Sequence, residues 1–317
     1  MNNIHEADKY RNFGELSLSE YYYKMAIKES DRNLYAWFRL LEVSFMQGKK
    51  NQVNKIIGKM KIEFPDIYYP YHIEFIMKVG EYDDGIEEFL EKCKGKFNDN
   101  ISYHYDRFVY FSGIGNSLKA IGIAKDYLIS NKKMFIKIAE ELADTYISIE
   151  DYDNAKEILK NAYNTRNNDI FLIKLMGIYM HLGDEKSVEE YCEYLLDGDE
   201  ISKVAANFIK ALVEKDEILR KREFLNLIYE CKSIEVDYPV RIVIDILIAV
   251  SYYFSGETEK SLEQLDFIDN VSDGKIEEIS ELRKVISSEE LEKSNEMESL
   301  ELYVFDKWLQ RYMDYIR

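Results

Sequence analysis

Proline is scarce in this chain, which has three in 317 residues: Pro65, Pro70 and Pro239. Proline lacks a backbone N–H and interrupts helices, so its scarcity leaves long stretches free to be helical. Glu, Lys, Leu and Ile, which form helices well, are frequent. The composition therefore predicts an all-α protein.

Cysteine is equally rare, and Cys93, Cys192 and Cys231 are far apart in the sequence. An odd number without a C-x-x-C pair argues against a disulfide framework and favours a reduced compartment. The first ten residues, MNNIHEADKY, lack the charged and then apolar pattern of a secretory signal. We therefore expect a cytoplasmic protein.

Long apolar runs are also missing. The longest, VRIVIDILIAVSYYF from Val240, is interrupted by Arg241 and Asp245. It is too short and too polar to span a bilayer, which needs about 20 apolar residues. We predict a buried helix at this position and no membrane segment.

Positive charge is in deficit, with 42 Lys and Arg against 60 Asp and Glu and a formal net charge of -18. Such a chain repels phosphate backbones, so nucleic acid is not an expected partner. A basic protein or peptide is the better match.

Sequences typical of catalysis or of metal binding are lacking too. The four histidines, His5, His72, His104 and His181, form no H-E-x-x-H motif. The stretch GIGNSLKAIG from Gly113 has no G-K-[ST] to grip phosphate, and it is better read as a turn between helices. We therefore predict no catalytic residues, no cofactor and no metal.

What the sequence does contain is a period. Turn residues recur between apolar helix ends and new helix starts at Gly14, Gly48, Gly80, Gly115, Glu150, Gly183, Asp216 and Gly256. The successive spacings are 34, 32, 35, 35, 33, 33 and 40 residues. Glycine ends a helix at low cost because it readily adopts the left-handed conformation. A two-helix unit of this length cannot bury its apolar side alone and must stack on its neighbours.

At this point the sequence resembles the tetratricopeptide repeat family, whose helix-turn-helix units have 34 residues. The matching residues are Trp37, Leu40, Gly48, Val53, Ile57, Met60 and Pro65 in the second unit, Leu142, Ala143, Tyr146, Ala155, Leu159 and Ala162 in the fifth, Leu175, Tyr179, Gly183 and Leu195 in the sixth, and Ile248, Ala249, Tyr252, Gly256 and Leu265 in the eighth. The resemblance implies a right-handed α-α superhelix, a solenoid of about eight units. Small residues such as Ala143 would let neighbouring helices approach closely. A generic irregular α-solenoid is the alternative.

The period divides the chain into two parts. Residues 1–273 form the expected repeat array, and residues 274–317 form C-terminal capping helices continuous with it. The seventh unit matches worst, with an insertion expected around Ile218–Arg222 and a break in pitch near residues 196–240. The spacing of apolar residues in 298–316 predicts a final amphipathic helix. Its expected role is to cap the array, and a homodimer contact is the alternative.

The resemblance also implies where a partner binds, since members of the family line an inner groove with the first helix of each unit. The equivalent residues are Tyr35, Phe38, Glu42, Phe45, Glu74, Met77, Tyr105, Val109, Lys137, Glu140, Asp144, Ile147, Ile173 and Met180. Aromatic, aliphatic and acidic side chains dominate, and Lys137 is the one basic residue. This lining disfavours the clamp for chaperone C-termini that some members have, which uses lysine, asparagine and arginine.

These observations predict a non-enzymatic repeat module that binds a protein or peptide, holding an apolar and basic segment in its concave groove. Two alternatives remain open. One is a regulatory receptor for a short signalling peptide, since the Lys-, Ile-, Asn- and Tyr-rich composition is typical of a low-GC bacterium. The other is an accessory subunit of an enzyme complex.

Overall fold

The computed structural model describes residues 3–272 and 276–287, and within these ranges every regular element is a helix. The predicted all-α repeat fold is confirmed. The chain forms two compact units, residues 1–131 (unit 1) and residues 132–317 (unit 2).

Unit 1 consists of four consecutive helix pairs. Its helices are α1 (Asn3–Asn12), α2 (Leu16–Glu29), α3 (Leu34–Met46), α4 (Lys50–Glu63), α5 (Tyr69–Gly80), α6 (Ile86–Phe97), α7 (Ile101–Gly113) and α8 (Ser117–Ile123), which continues as a π-helical turn, Ala124–Leu128. Each helix packs on the next along the chain. The odd-numbered members are the first helices of their pairs and are called A helices below; the even-numbered members are the B helices.

Unit 2 repeats this order. Its helices are α9 (Lys132–Ile147), α10 (Tyr152–Arg166), α11 (Asp169–His181), α12 (Glu185–Leu196), α13 (Glu200–Val213), α14 (Glu217–Ser233), α15 (Tyr238–Phe254), α16 (Thr258–Val271) and α17 (Glu277–Ser287). α15 is the buried helix predicted from the apolar run, since residues 243–251 are all buried. Across the described ranges, no helix is long and apolar enough to cross a membrane.

Seven of the helix pairs share one turn. A residue with positive φ follows the A helix, and the N–H of the next residue donates to the carbonyl oxygen five positions back, which is the Schellman arrangement. The N···O distances are 2.9 Å (Glu15 to Tyr10), 3.1 Å (Lys49 to Ser44), 3.1 Å (Asp83 to Lys78), 2.8 Å (Asn116 to Phe111), 3.0 Å (Asp151 to Tyr146), 2.9 Å (Asp184 to Tyr179) and 2.8 Å (Glu257 to Tyr252). Each turn thus satisfies the end of one helix and starts the next.

The structure corrects two of the predicted turn markers. Gly80 is the last residue of α5, and the left-handed residue of that turn is Tyr82, with φ of 53°. Asp216 is the N-cap of α14, where its side chain accepts from the N–H groups of Ile218 and Leu219. With Tyr82 as the marker, the spacings from Gly14 to Gly183 become 34, 34, 33, 35 and 33 residues. The period is therefore more regular than the glycines alone indicate.

Tyr82 offers a direct test of this register. Its side chain is 91% exposed, so replacing it with glycine removes left-handed strain without removing packing. We expect Tyr82→Gly to stabilise the protein by about 0.5–1 kcal/mol, measured as a higher urea midpoint. Gly48→Ala, at φ of 66°, should destabilise by a similar amount, while Gly80→Ala should not. Destabilisation by Gly80→Ala would contradict the corrected register.

The fifth pair shows how the helices pack. Ala143, Ala155 and Ala162 have no exposed surface, and the larger Leu142, Tyr146 and Leu159 are buried as well. Small and large side chains both lie in the interface of α9 and α10, an arrangement that allows two helices to approach closely. The burial of the alanines agrees with the role predicted for them.

A buried carboxylate joins the first two pairs of unit 1. Glu20 on α2 accepts hydrogen bonds from Lys24, from Lys49 at 2.7 Å and from Gln52 at 2.9 Å. Burial would raise its pKa, but these donors lower the pKa to about 2 from about 4.5. Glu20 therefore favours the folded state in its ionised form.

This pKa shift predicts acid sensitivity. A carboxylate whose pKa is lower in the folded protein stabilises it fully above the unfolded pKa, here about 4.5, and loses that contribution as the pH falls toward 2. The contribution is roughly 2 kcal/mol, because Lys24 and Lys49 are partly in water. Glu20→Gln should lower stability at pH 7 and flatten its decline from pH 4.5 to 2. Glu63→Gln, at an exposed site on α4, is the matched control, and equal slopes in all three proteins would refute the assignment.

The structure also describes the seventh unit and the start of the predicted capping helices. Residues 218–222 lie at the start of α14, a helix of 17 residues, and the insertion and break in pitch expected there remain predictions. The predicted helix after residue 273 is present as α17, where Ile279, Leu282 and Ile286 are buried. The predicted final helix, residues 298–316, and its dimer contact lie outside the described residues. The division at residue 273 remains a prediction.

Candidate functional site

Unit 1 presents a side of its A helices on which equivalent positions recur in every pair. We call this surface the A-face. We align the helix pairs by their left-handed turn residues and take Tyr35, Phe38, Glu42 and Phe45 as the reference positions. Among the residues in register with them, the A-face is defined by Asp8 and Arg11 on α1, Tyr35, Phe38, Glu42 and Phe45 on α3, Tyr69, His72, Ile76 and Val79 on α5, and Tyr105 and Val109 on α7. Contacts between successive A helices join these residues into one surface.

The first such contact is polar and joins α1 to α3. The Tyr35 hydroxyl donates to Asp8 at 2.9 Å, and Tyr23 donates to the same carboxylate oxygen at 2.5 Å. Glu42 lies 2.7 Å from Arg39 and 3.5 Å from Arg11. Both carboxylates of this region therefore already have donors from the chain.

The second contact is aromatic and joins α3 to α5. The rings of Phe38 and Tyr69 lie 4.7 Å apart, and both side chains are half-buried. Around them Tyr35, Phe45, Ile76 and Val79 are 41%, 43%, 38% and 42% exposed. Rings fixed in place beside exposed apolar side chains form a surface suited to an apolar ligand.

The third contact joins α5 to α7 through a buried carboxylate. Asp106 is 1% exposed and accepts from the Tyr68 hydroxyl at 2.7 Å. The Nδ1 atom of His72 lies 2.9 Å from both of its oxygens. Burial, and next the charge of Asp106, raise the pKa of Tyr68 far above its ordinary value, so this hydroxyl keeps its proton and donates.

A histidine held by a buried carboxylate is half of a catalytic arrangement. His72 could act as a general base oriented by Asp106. A nucleophile would also be required at its other nitrogen, Nε2. Among the described residues, no hydroxyl or thiol lies within hydrogen-bonding distance of this nitrogen. The pair therefore suits recognition better than catalysis.

Glu74 and Met77 do not lie on the A-face, contrary to the sequence prediction. Because Tyr82 and not Gly80 is the turn residue, the A-face positions of α5 are two residues later than predicted. Glu74 pairs with Lys61 of α4, and both predicted residues line a cavity of about 440 Å³ between α4, α5 and the turn after α5. A second cavity of about 420 Å³, against α6, contains Tyr71 and Phe89.

Two of the predicted residues of unit 2 are already engaged within that unit. Ile173 is completely buried in α11, whose residues from Ile170 to Tyr179 are all buried, so this side chain cannot meet a partner in this conformation. Asp144 pairs at 2.7 Å with Lys174, a buried cation of that helix, so its role is to compensate Lys174. The others are half-buried or exposed: Lys137, Glu140, Ile147 and Met180.

The cysteine thiols, which could act as nucleophiles, are poorly reactive. Cys93, Cys192 and Cys231 are buried, and burial raises the pKa of Cys93 to about 11 and of the other two to about 12. Thiols with a raised pKa are poor nucleophiles. In residues 3–272 and 276–287, no group of three or more His, Cys, Asp or Glu side chains could hold a metal ion.

Helix pairs of about 34 residues, joined by one recurrent turn, define an all-α protein built from helix-turn-helix repeats. No family model matches the sequence, and no curated protein matches it. Similar solved structures include a tetratricopeptide repeat protein from Parabacteroides merdae, 14% identical, with 90% of this chain and 98% of that chain covered and a TM-score of 0.48. The TPR domain of P58(IPK) is also 14% identical, with 98% of each chain covered and a TM-score of 0.28.

Proposed function

We propose that the chain is a non-catalytic protein-binding module and that unit 1 holds an apolar, basic segment of a partner on its A-face. The carrying observation is that two consecutive A helices each expose apolar side chains on the A-face, Tyr35 and Phe45 on α3 and Ile76 and Val79 on α5, with Phe45 and Val79 at equivalent positions. Stacked helix pairs are known as extended binding surfaces, and these residues give this one its anchors.

The aromatic residues supply most of the expected affinity. Buried aromatic anchors dominate interface energies, and few residues carry most of the total. Phe38 and Tyr69 already pack on each other in the free protein. They therefore lose little conformational freedom on binding, which leaves more of the contact energy for affinity.

The charge preference is supported by the net charge of the whole chain rather than by individual carboxylates of the A-face. The net charge of -18 attracts basic partners at long range. Glu42, an acidic residue of the predicted groove, and Asp8, at the equivalent position of α1, already have donors from the chain, so a basic side chain would have to displace Arg39 or Tyr35. Long-range steering thus requires no broken contact, unlike direct pairing at these two residues.

Site-specific photo-crosslinking tests this proposal. The photoreactive p-benzoylphenylalanine is placed at position 45 or 76 of the full chain, and at position 62 as the control, since Ile62 is 77% exposed on the B helix α4. Irradiation in the source cells should give one recurrent partner segment at positions 45 and 76 and not at 62. The same products at all three positions, or products at 62 alone, would refute the A-face.

A further inference from the structure

The geometry around His72 places a proton on the nitrogen that faces Asp106. Asp106 is a carboxylate that accepts from Tyr68 on one side and faces His72 Nδ1 at 2.9 Å on the other. A carboxylate can only accept, so Nδ1 must donate its hydrogen. In the neutral ring the other nitrogen, Nε2, then has a lone pair and accepts.

That second nitrogen is open to a ligand. The His72 side chain is 29% exposed, at the A-face position equivalent to Phe38. In the part of the chain that the structure describes, no protein group hydrogen-bonds to Nε2. His72 therefore presents a free acceptor, with the buried Asp106 behind it.

The negative charge behind this acceptor is not neutralised by a permanent cation. Arg107, the neighbour of Asp106 in the sequence, lies instead over the Tyr103 ring, with Nη1 3.4 Å from His104 Nδ1. Among the described residues, the ion-pair partner of Asp106 is His72 alone. With a neutral imidazole, the pair carries one net negative charge and directs an acceptor outward.

This pair differs from the other carboxylates of the A-face. Asp8 accepts hydrogen bonds from two tyrosine hydroxyls, and Glu42 forms ion pairs with two arginines. The pair of His72 and Asp106 has an exposed end without a donor, and it lies beside Tyr69, whose ring centroid is 6.3 Å from the His72 ring. An apolar ligand on these rings would exclude water and strengthen a hydrogen bond to Nε2.

We propose that His72, oriented by Asp106, accepts a hydrogen bond from a lysine or arginine side chain of the bound segment and thereby sets the charge preference of the A-face. This inference rests on the proposed function. It assigns the selection of charge to an imidazole, at the repeat position that Phe38 occupies on α3, and not to Glu42 or Asp8.

The test uses a phage library of random 12-residue peptides selected on the full chain, with the recovered peptides remade with a fluorescein label for anisotropy measurements. We expect lysine or arginine flanked by Leu, Ile or Phe. His72→Asn is the informative variant, because an asparagine amide can still donate to Asp106 but has no atom at Nε2. It should weaken the lysine peptide about tenfold, the scale of one hydrogen bond to a charged group.

The control is a norleucine analogue, which keeps the lysine stem without its charge. His72→Asn should bind this analogue with the affinity of the wild type, because the interaction energy between His72 and the peptide arises only when the peptide carries the cation. His5→Asn, at an exposed histidine of α1, should change neither affinity. Equal losses for both peptides, or no loss for either, would overturn the role of His72. Thermal melting verifies that each variant is folded. ¹⁵N NMR of the imidazole should show the neutral Nδ1–H tautomer, and either an Nε2–H tautomer or a ring protonated on both nitrogens would also overturn the role of His72.

The two proposals fail in different ways. Suppose the selected peptides lose affinity for the double variant Phe38→Ala with Phe45→Ala but show no preference for lysine. That result would overturn the role of His72 and leave the A-face standing. Peptides that bind equally to that double variant would overturn the A-face itself. A library without saturable binders would overturn both.

Discussion

Replacing Phe38 and Phe45 together with alanine is expected to weaken the binding of the partner segment by about 100-fold, with the fold retained. Phe45 is 43% exposed, and Phe38 is half-buried against Tyr69. Each is an aromatic anchor on the proposed surface, and two such anchors together contribute about 2–4 kcal/mol. That range corresponds to a factor of 100 or slightly more in the dissociation constant.

The measurement is a titration of the segment identified by crosslinking, followed by anisotropy. Ile62→Ala with Leu18→Ala is the matched control, because it removes two exposed apolar side chains from the B helices α4 and α2. This control should bind as the wild type does. Unchanged affinity in the Phe38 and Phe45 double variant, with a normal circular dichroism spectrum, would reject the A-face.

Phe224→Ala is expected to destabilise unit 2 by about 3–5 kcal/mol, the range for truncating a fully buried phenylalanine. Phe224 on α14 has no exposed surface. Its ring lies 5.9 Å from Phe208 on α13 and 5.1 Å from Phe254 on α15, so it links three consecutive helices. This is the region that matches the repeat pattern worst, and the aromatic contacts explain how it packs without the shared turn.

Denaturant unfolding of the full chain, followed by circular dichroism, measures this loss. Phe224→Leu keeps most of the volume and should cost less than half as much. Tyr229→Ala on the same helix is the control, since that side chain is 82% exposed and should change stability by less than about 0.5 kcal/mol. A Phe224→Ala variant as stable as the Tyr229→Ala control would contradict the packing of α13, α14 and α15.

The repeat could be predicted from the sequence because its turns need a left-handed residue, and glycine marks most of them. The prediction failed at the third pair for the same reason. Tyr82 is left-handed and Gly80 is helical, so a search for glycine places the register two residues early. An exposed tyrosine tolerates the strain, and a strict count of 34 from Gly48 would have found it.

The candidate site was less predictable, because the repeat register identifies equivalent positions but not what covers or pairs with them. Ile173 is equivalent to Phe38, yet α11 is apolar on all sides and therefore buried. Glu42 is acidic, yet Arg11 and Arg39 already pair with it. Such contacts depend on side-chain conformations that periodicity does not encode.

The pair of His72 and Asp106 was missed although the sequence contains a signal for it. The two residues are 34 positions apart, one repeat length, so they lie at nearly equivalent places on neighbouring A helices. A histidine and an aspartate separated by one period are candidates for contact in any stacked repeat. Reading the histidines one by one, without the period, concealed this relation.

Hydrogen exchange of the full chain, with and without the partner segment added as a synthetic peptide, tests the central claim most directly. If the A-face is the working surface, amide exchange should slow in α3, α5 and α7 on binding and stay unchanged in α4 and α6. Slower exchange confined to α4 and α6, which line the two cavities beside Lys61, would place the ligand on the other side of unit 1 and contradict the account.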